Sequence, residues 1–336
     1  MKSYRIAAFT GQSGLQLGSE EIPRPGPFET LVRIRASSLN FRDGLILNGF
    51  FRPLSPDGVV PLSDGAGEVV ETGEGVTRFA AGDRVMPIFN PRWMGGKRPL
   101  DNSVLGLGGE TDGVLREYMI VREDALVAIP AHLSFEEAAS LPCAAVTAWC
   151  ALVGQAPLFP GETVLTQGTG GVSIFALQLA KLFGARVIST TSSDAKAERL
   201  KQLGADETIN YKTCPDWDKE VKRLTDGKGA DLIVEVGGAG TLAMSFRSAH
   251  PNTRIAIVGL LAGASGGEGF DYMSWIATTY RTATGSRQDF EQLNRAISYH
   301  KLKPVVDRVF AFDDAPAAYE HFYAQRHFGK VIIRHD

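Results

Sequence analysis

Residues Gly161–Ala205, GETVLTQGTGGVSIFALQLAKLFGARVISTTSSDAKAERLKQLGA, decide how the chain folds. Val164–Thr166 reads as a short buried strand, and Gly168-Thr169-Gly170-Gly171 as a tight turn. Val172, Ala176, Leu179 and Phe183 recur at helical spacing, which predicts a helix over Val172–Phe183. Gly184 supplies the left-handed residue that stops it, and Arg186–Thr190 reads as a second strand. A glycine turn feeding a helix N-terminus leaves backbone N–H groups converging on one spot, and a pyrophosphate fits there. Gly168 and Gly170 take the first two glycine positions of a dinucleotide fingerprint, and Ser173 takes the third, small enough to keep helix and strand close.

The end of the second strand concerns cofactor choice. An NAD-selective site places Asp or Glu about 20 residues after the first glycine, on the ribose 2′-hydroxyl. Here Thr191-Ser192-Ser193 stand in its place and Lys196 follows. No carboxylate repels a 2′-phosphate, while hydroxyls and an ammonium can bind one, which favours NADP(H). Ser192, Ser193 and Asp194 also read as caps of a helix Ala195–Leu203 ended by Gly204, a role compatible with phosphate binding.

Outward from this unit, the 336 residues are enough for two domains. A net charge of −3 without a basic stripe argues against nucleic acid and membrane surfaces as partners. Cys143, Cys150 and Cys214 form neither a disulfide framework nor a zinc knuckle, so a reducing, cytoplasmic setting is expected. Neither a secretory signal nor a membrane span is expected from the apolar runs. Before the dinucleotide unit, short strands at Leu31–Ser37, Gly65–Thr72, Arg84–Ile88 and Val114–Val121 predict a partly open β-barrel. Asn90–Gly113 reads as a long functional or interfacial loop. Ser134 and Glu137 make a capping box ahead of a helix at Phe135–Ala139, followed by a segment Cys143–Val153. Strands at Glu207–Asn210, Ala230–Val236 and Arg254–Val258 continue a doubly wound parallel sheet, an α/β fold. Beyond Gly285, helices at Asp289–His300 and Ala315–Tyr323, the segment Pro304–Phe310 and a strand Lys330–Ile333 are too few to fold alone. They are expected to rejoin the first domain, giving a catalytic domain of 1–125 and 285–336 and a nucleotide-binding domain of 126–284.

With Ser38-Leu39-Asn40-Phe41-Arg42-Asp43, Asp64–Val70, Gly82-Asp83-Arg84-Val85, Leu141–Trp149, Leu203–Asp206, Ile209-Asn210-Tyr211 and Gly329-Lys330-Val331 added to the glycine turn, the sequence resembles the medium-chain dehydrogenase/reductase superfamily. It looks like the zinc-free, quinone oxidoreductase-like branch, over essentially the whole chain. The resemblance implies a GroES-like catalytic domain, a Rossmann domain, NADP(H) as cofactor and a homodimer joined through the Rossmann sheets. It puts Gly168, Thr169, Gly170, Gly171 and Val172 at the pyrophosphate, and Ser192, Ser193, Lys196 and Tyr211 around the 2′-phosphate. Asn40, Thr147, Val258 and Leu260 match positions around the nicotinamide half, and Gly329 and Lys330 the segment closing over the cofactor. Tyr211 reads as well as surface packing, and Val258 and Leu260 as a strand end.

Zinc alcohol dehydrogenases of the same superfamily hold their catalytic metal with Cys, His and Cys. The matching positions here are Ser38, Ser63 and Cys143, with Asp64 in place of a glutamate, so no metal is expected and Cys143 reads as a small apolar residue. Asp64 reads as a partner of a nearby backbone group or His, or as a substrate contact. Hydride delivered to a quinone or an α,β-unsaturated carbonyl gives a delocalised anion that needs less electrostatic help than a simple alkoxide. Asn40 and Arg42 are the candidate donors to the substrate oxygen, Asp43 orients them, and water delivers the proton. Arg42 and Asp43 read equally as a structural ion pair at a helix start, and Tyr118 as a second donor or a core residue. Phe50, Phe51, Phe89, Trp93 and Met94 suggest a cleft for an apolar, aromatic electrophile. The alternatives are an alcohol dehydrogenase and a non-catalytic NADP(H)-binding protein.

Overall fold

The computed structural model describes residues 1–98, 106–259, 261, 277–282 and 284–336. Two compact units emerge, Met1–Val146 with Thr284–Asp336, and Thr147–Ala283. In chain order the first carries β1 (Lys2–Ile6), β2 (Leu15–Ser19), β3 (Glu29–Ser38), α1 (Phe41–Leu47), β4 (Asp64–Thr72), β5 (Arg84–Pro87), β6 (Tyr118–Arg122), β7 (Leu126–Ala128) and α2 (Phe135–Ala138). Then come α3 (Val146–Val153), β8 (Thr163–Gln167), α4 (Gly171–Leu182), β9 (Arg186–Thr191), α5 (Asp194–Gln202), β10 (Glu207–Asn210), α6 (Trp217–Leu224), β11 (Ala230–Glu235), α7 (Leu242–Arg247), β12 (Ala249–Ile257) and β13 (Thr278–Arg281). The chain closes with α8 (Arg287–His300), β14 (Val306–Ala311), α9 (Ala315–Tyr323) and β15 (Lys330–Arg334).

In the second unit all pairings are parallel and the strand order is β10-β9-β8-β11-β12-β13. That order reverses between β8 and β11, the point where doubly wound sheets bind their ligands. Leu165, Ile188 and Ile233, each with no exposed surface, pack with Trp217, Val221, Phe246 and Ile255 into one core. Strands covered on both faces read as continuous apolar runs, which is why they were legible.

The first unit folds a seven-stranded sheet ordered β14-β15-β3-β4-β5-β7, with β6 added to β3, beside the β1–β2 hairpin. The C-terminal tail is part of it, since β15 pairs antiparallel with β3 and sets Ile332 opposite Ser38. Residues 126–146, expected with the nucleotide-binding domain, fall instead in this unit, because β7 pairs with β5 through Val85 and Ala128. The strand expected over Val114–Val121 starts only at Tyr118. Gly113, Val114 and Leu115 spend their N–H groups on the carbonyls of Val60, Leu62 and Pro61, which makes that stretch a loop clamp. Tyr118 is half-buried in β6 rather than in the core. The segment expected to start at Cys143 begins as a π-turn, Leu141–Ala145.

Candidate functional site

At the end of β8 the chain turns through Gly168, whose φ of +73° is left-handed backbone that suits glycine. The Gly168 N–H bonds the Thr190 carbonyl at 2.9 Å, so the turn is tied to the end of β9. Gly170 is the N-cap of the 12-residue α4, and no side chain caps it. The first N–H groups of a helix have no intrahelical acceptor. A Cβ built on Gly168 or Gly170 meets nothing within 4 Å, so the turn leaves space in which an anion can approach these donors. Ser173 is buried and its Oγ donates to the Gln167 carbonyl at 2.6 Å, fixing helix to strand. The residues present therefore fit the pyrophosphate of a dinucleotide.

The end of β9, where a dinucleotide's adenosine ribose lies in doubly wound folds, carries hydroxyls in place of a carboxylate. Thr191 stands at the end of β9, buried, and its Oγ1 has no partner among the described residues. Ser193 is the N-cap of α5 and accepts from the Lys196 N–H, so the capping reading holds for Ser193. Ser192 lies in the turn ahead of it and Tyr211 follows β10, 39% exposed. Asn210 bonds Asp194 through Nδ2 at 2.8 Å, which draws that carboxylate toward β10.

Sequence reasoning missed Gln167 and Glu235. The fully buried Glu235 carboxylate accepts from Gln167 Nε2, the N–H groups of Gly237 and Gly238, Thr241 Oγ1 and Ser245 Oγ. Its backbone carbonyl accepts from Val258 N–H at 2.8 Å. This network joins the ends of β8, β11 and β12 at the switch point. A carboxylate, Glu235, set between Val234 and Val236 near the end of the run ADLIVEV was the available signal. Thr147 is buried at the start of α3, and Leu260 lies outside the described residues.

In the first unit a second cluster forms around Asn40, the N-cap of α1. Asp43 accepts the Asn40 N–H at 2.7 Å and an Arg42 Nη1 hydrogen at 3.1 Å. Burial pushes the Asp43 carboxyl up to about 6, against the pull of Arg42 and the Asn40 N–H. Arg42 also donates to the Leu107 carbonyl at 3.1 Å and sits 4.8 Å over the Phe89 ring. Its guanidinium thus ties the start of α1 to the loop around Leu107. Lys330, 2% exposed, donates to the Leu39 carbonyl at 2.8 Å and to Asn40 Oδ1 at 2.7 Å. Asp64 Oδ2 lies 3.7 Å from that ammonium and accepts the Cys143 N–H, while Ser63 Oγ donates to Oδ1.

The alcohol dehydrogenase GroES-like domain family matches residues 26–131, and the zinc-binding dehydrogenase family residues 171–298. A zinc-type alcohol dehydrogenase-like protein of Schizosaccharomyces pombe is 41% identical over 334 residues, covering 96% of each chain. A quinone oxidoreductase of Pseudomonas aeruginosa is 30% identical over 99% of each. A solved structure described as an NAD-dependent alcohol dehydrogenase superposes with a TM-score of 0.90 at 36% identity, over 99% of both chains. The chain belongs to the medium-chain dehydrogenase/reductase superfamily. Like the relatives named, this member of the superfamily is an oxidoreductase, and its cofactor is a nicotinamide nucleotide.

A zinc ion does not suit the donors at the superfamily's metal positions. Ser38 Oγ donates to the Ala139 carbonyl at 2.9 Å, and the Ser63 hydroxyl is turned to Asp64. Cys143 is half-buried, and desolvation of the thiol, helped by the Asp64 charge, pushes it above the usual range. One thiol and two engaged hydroxyls are not a tetrahedral N/S site. Among the described residues no group of three His, Cys, Asp or Glu side chains is placed to hold a metal.

Proposed function

We propose that this protein is an NADPH-dependent reductase that delivers hydride, without a metal, to quinones and α,β-unsaturated carbonyls. The observation that carries the reading is the donor set at Ser38, Ser63 and Cys143, two engaged hydroxyls and one thiol, which does not suit a zinc ion that would stabilise an alkoxide. The absent carboxylate at Thr191, with Lys196 one turn into α5, supports NADPH over NADH. Ser192, Ser193, Lys196 and Tyr211 bind the 2′-phosphate in this reading, and the N-terminus of α4 holds the pyrophosphate.

When bound, the reduced nucleotide supplies a hydride to the conjugated carbon of the acceptor. Asn40 donates a hydrogen bond from Nδ2 to the acceptor oxygen, where negative charge collects. Asp43 fixes the backbone of Asn40 through the helix cap, and Arg42 anchors that helix start; neither touches the acceptor. Conjugation spreads the charge, and a proton from water completes the two-electron reduction. Phe50, 58% exposed, and Phe51, its ring 4.9 Å away, offer apolar surface to a flat molecule. The protein acts as a homodimer through β13, whose outer edge has no pairing strand among the described residues. We place it in the cytoplasm, in keeping with its free cysteines.

The test is NADPH oxidation over a panel of quinones and enals. Turnover of several, with simple ketones poor, is expected; no oxidation above background would remove the reading. The name of one similar protein, a zinc-type alcohol dehydrogenase-like protein, favours a second reading, a zinc alcohol dehydrogenase. Stoichiometric zinc, lost together with activity on chelation, would establish it instead.

A further inference from the structure

The family resemblance gives Lys330 a place beside the cofactor, and its hydrogen bonds run to the Leu39 carbonyl and to Asn40. An ammonium carries three donors and no acceptor. The Asn40 atom 2.7 Å from Lys330 Nζ must therefore be the oxygen, which settles how the amide is turned. Nδ2 then faces the other way, and it has no acceptor among the described residues although Asn40 is only 9% exposed. A buried donor without an acceptor is rare in native proteins and marks a place that a ligand or water fills.

The ammonium is held as firmly as the amide it turns. The Leu39 carbonyl takes a second hydrogen at 2.8 Å, and Asp64, fully buried, lies 3.7 Å away. Asp64 is fixed in turn by Ser63 Oγ and the Cys143 N–H. A cation bonded to the oxygen of an amide polarises it and strengthens its N–H as a donor.

We infer that Lys330 is a positioning residue for the reaction: it locks the Asn40 amide with Nδ2 presented to the acceptor oxygen and sharpens that donor with its charge. A fixed ammonium, one hydrogen bond removed from the substrate, thus supplies part of the positive field that zinc supplies elsewhere in the superfamily. The inference rests on the proposed reading of Asn40 as the donor to the acceptor oxygen.

Four variants test it, with kcat measured on NADPH and 1,4-benzoquinone and NADPH affinity measured by fluorescence. They are Lys330→Met, Asn40→Asp, their combination, and the charge-balanced pair Asp64→Asn/Lys330→Met. Both single variants are expected to lower kcat tenfold or more while the NADPH Kd moves less than threefold. The combination should lie within threefold of the slower single variant, and the charge-balanced pair should stay slow. Recovery of wild-type kcat in the charge-balanced pair would show that Lys330 only neutralises Asp64, and multiplied losses in the combination would show that the two residues act separately. Either result overturns the inference. If Lys330→Met alone does not fold, the charge-balanced pair decides by the same criterion. A readout independent of turnover is the Asn40 side-chain amide resonance, assigned by its loss in Asn40→Asp. It should shift in the charge-balanced pair, and an unmoved signal contradicts the inference. If the wild-type protein reduces no quinone or enal, the functional reading falls and this resonance alone judges the role of Lys330.

Discussion

Thr191 closes β9 with a buried hydroxyl at the position where an NAD-selective chain carries a carboxylate. Thr191→Asp is expected to weaken NADPH at least tenfold while NADH binding holds or improves, measured as the two dissociation constants; an unchanged ratio would place the 2′-phosphate elsewhere. Lys196→Ala should cost NADPH about 1–3 kcal/mol and NADH far less, since only the phosphate offers a charge-assisted bond. Asp43 links the catalytic cluster to pH. Its folded carboxyl titrates near 6, above the unfolded value of 3.8, so the folded state holds its proton more tightly. Its contribution to stability is therefore greatest below about 4 and declines as pH rises through 6, by on the order of 3 kcal/mol. Glu20, held down to about 2 by Arg5, has the opposite sign: its contribution is present above 4.5 and is lost as pH falls toward 2. Urea unfolding at pH 4.5 and 7.5 separates them: the difference between the two pH values should shrink or reverse in Asp43→Asn. An identical pH profile in wild type and variant would remove Asp43 as the source.

Among elements, α1 shows how closely the first unit is fitted. A Cβ on Gly44 would stand 1.7 Å from Tyr323 Oη in α9, so Gly44→Ala must displace that tyrosine. A loss of about 1–3 kcal/mol is expected from urea unfolding. Smaller side chains at Tyr323 should restore part of it. The elements that sequence made legible are those fixed by their own pattern. Apolar runs made β8, β9 and β11 legible, with glycine closing the first and the last, and Ser134 with Glu137 marked the cap of α2. Those it missed are fixed from outside. The late start of β6 follows from N–H groups already spent on the 60–62 segment. Lys330, a lysine after a glycine, carries no local sign of burial. The antiparallel register that sets Ile332 against Ser38 brings it opposite Asn40, some 290 residues earlier. Gln167 and Glu235 are likewise joined only by the sheet.

For the whole molecule, the β13 edge offers a way to test assembly. The Thr282 N–H turns inward to Ile257, so alternation turns the Thr279 N–H outward. Thr279→Pro should spare the pairing with β12 and convert a dimer to monomer, seen by sedimentation velocity; a variant that stays dimeric would move the interface off this edge. No helix among the described residues is long and apolar enough to cross a membrane. The two units together bring a nucleotide turn and a cationic, hydrogen-bonding cluster into one chain, in a superfamily where other members use zinc. The most direct measurement is steady-state reduction of a quinone by NADPH, with the metal content of the same sample determined before and after chelation. Full turnover in protein holding less than about a tenth of a zinc per chain is the expected result, an order-of-magnitude threshold for a site that lacks the ligands. One zinc per chain, with quinone reduction lost on its removal and regained on its return, would contradict it.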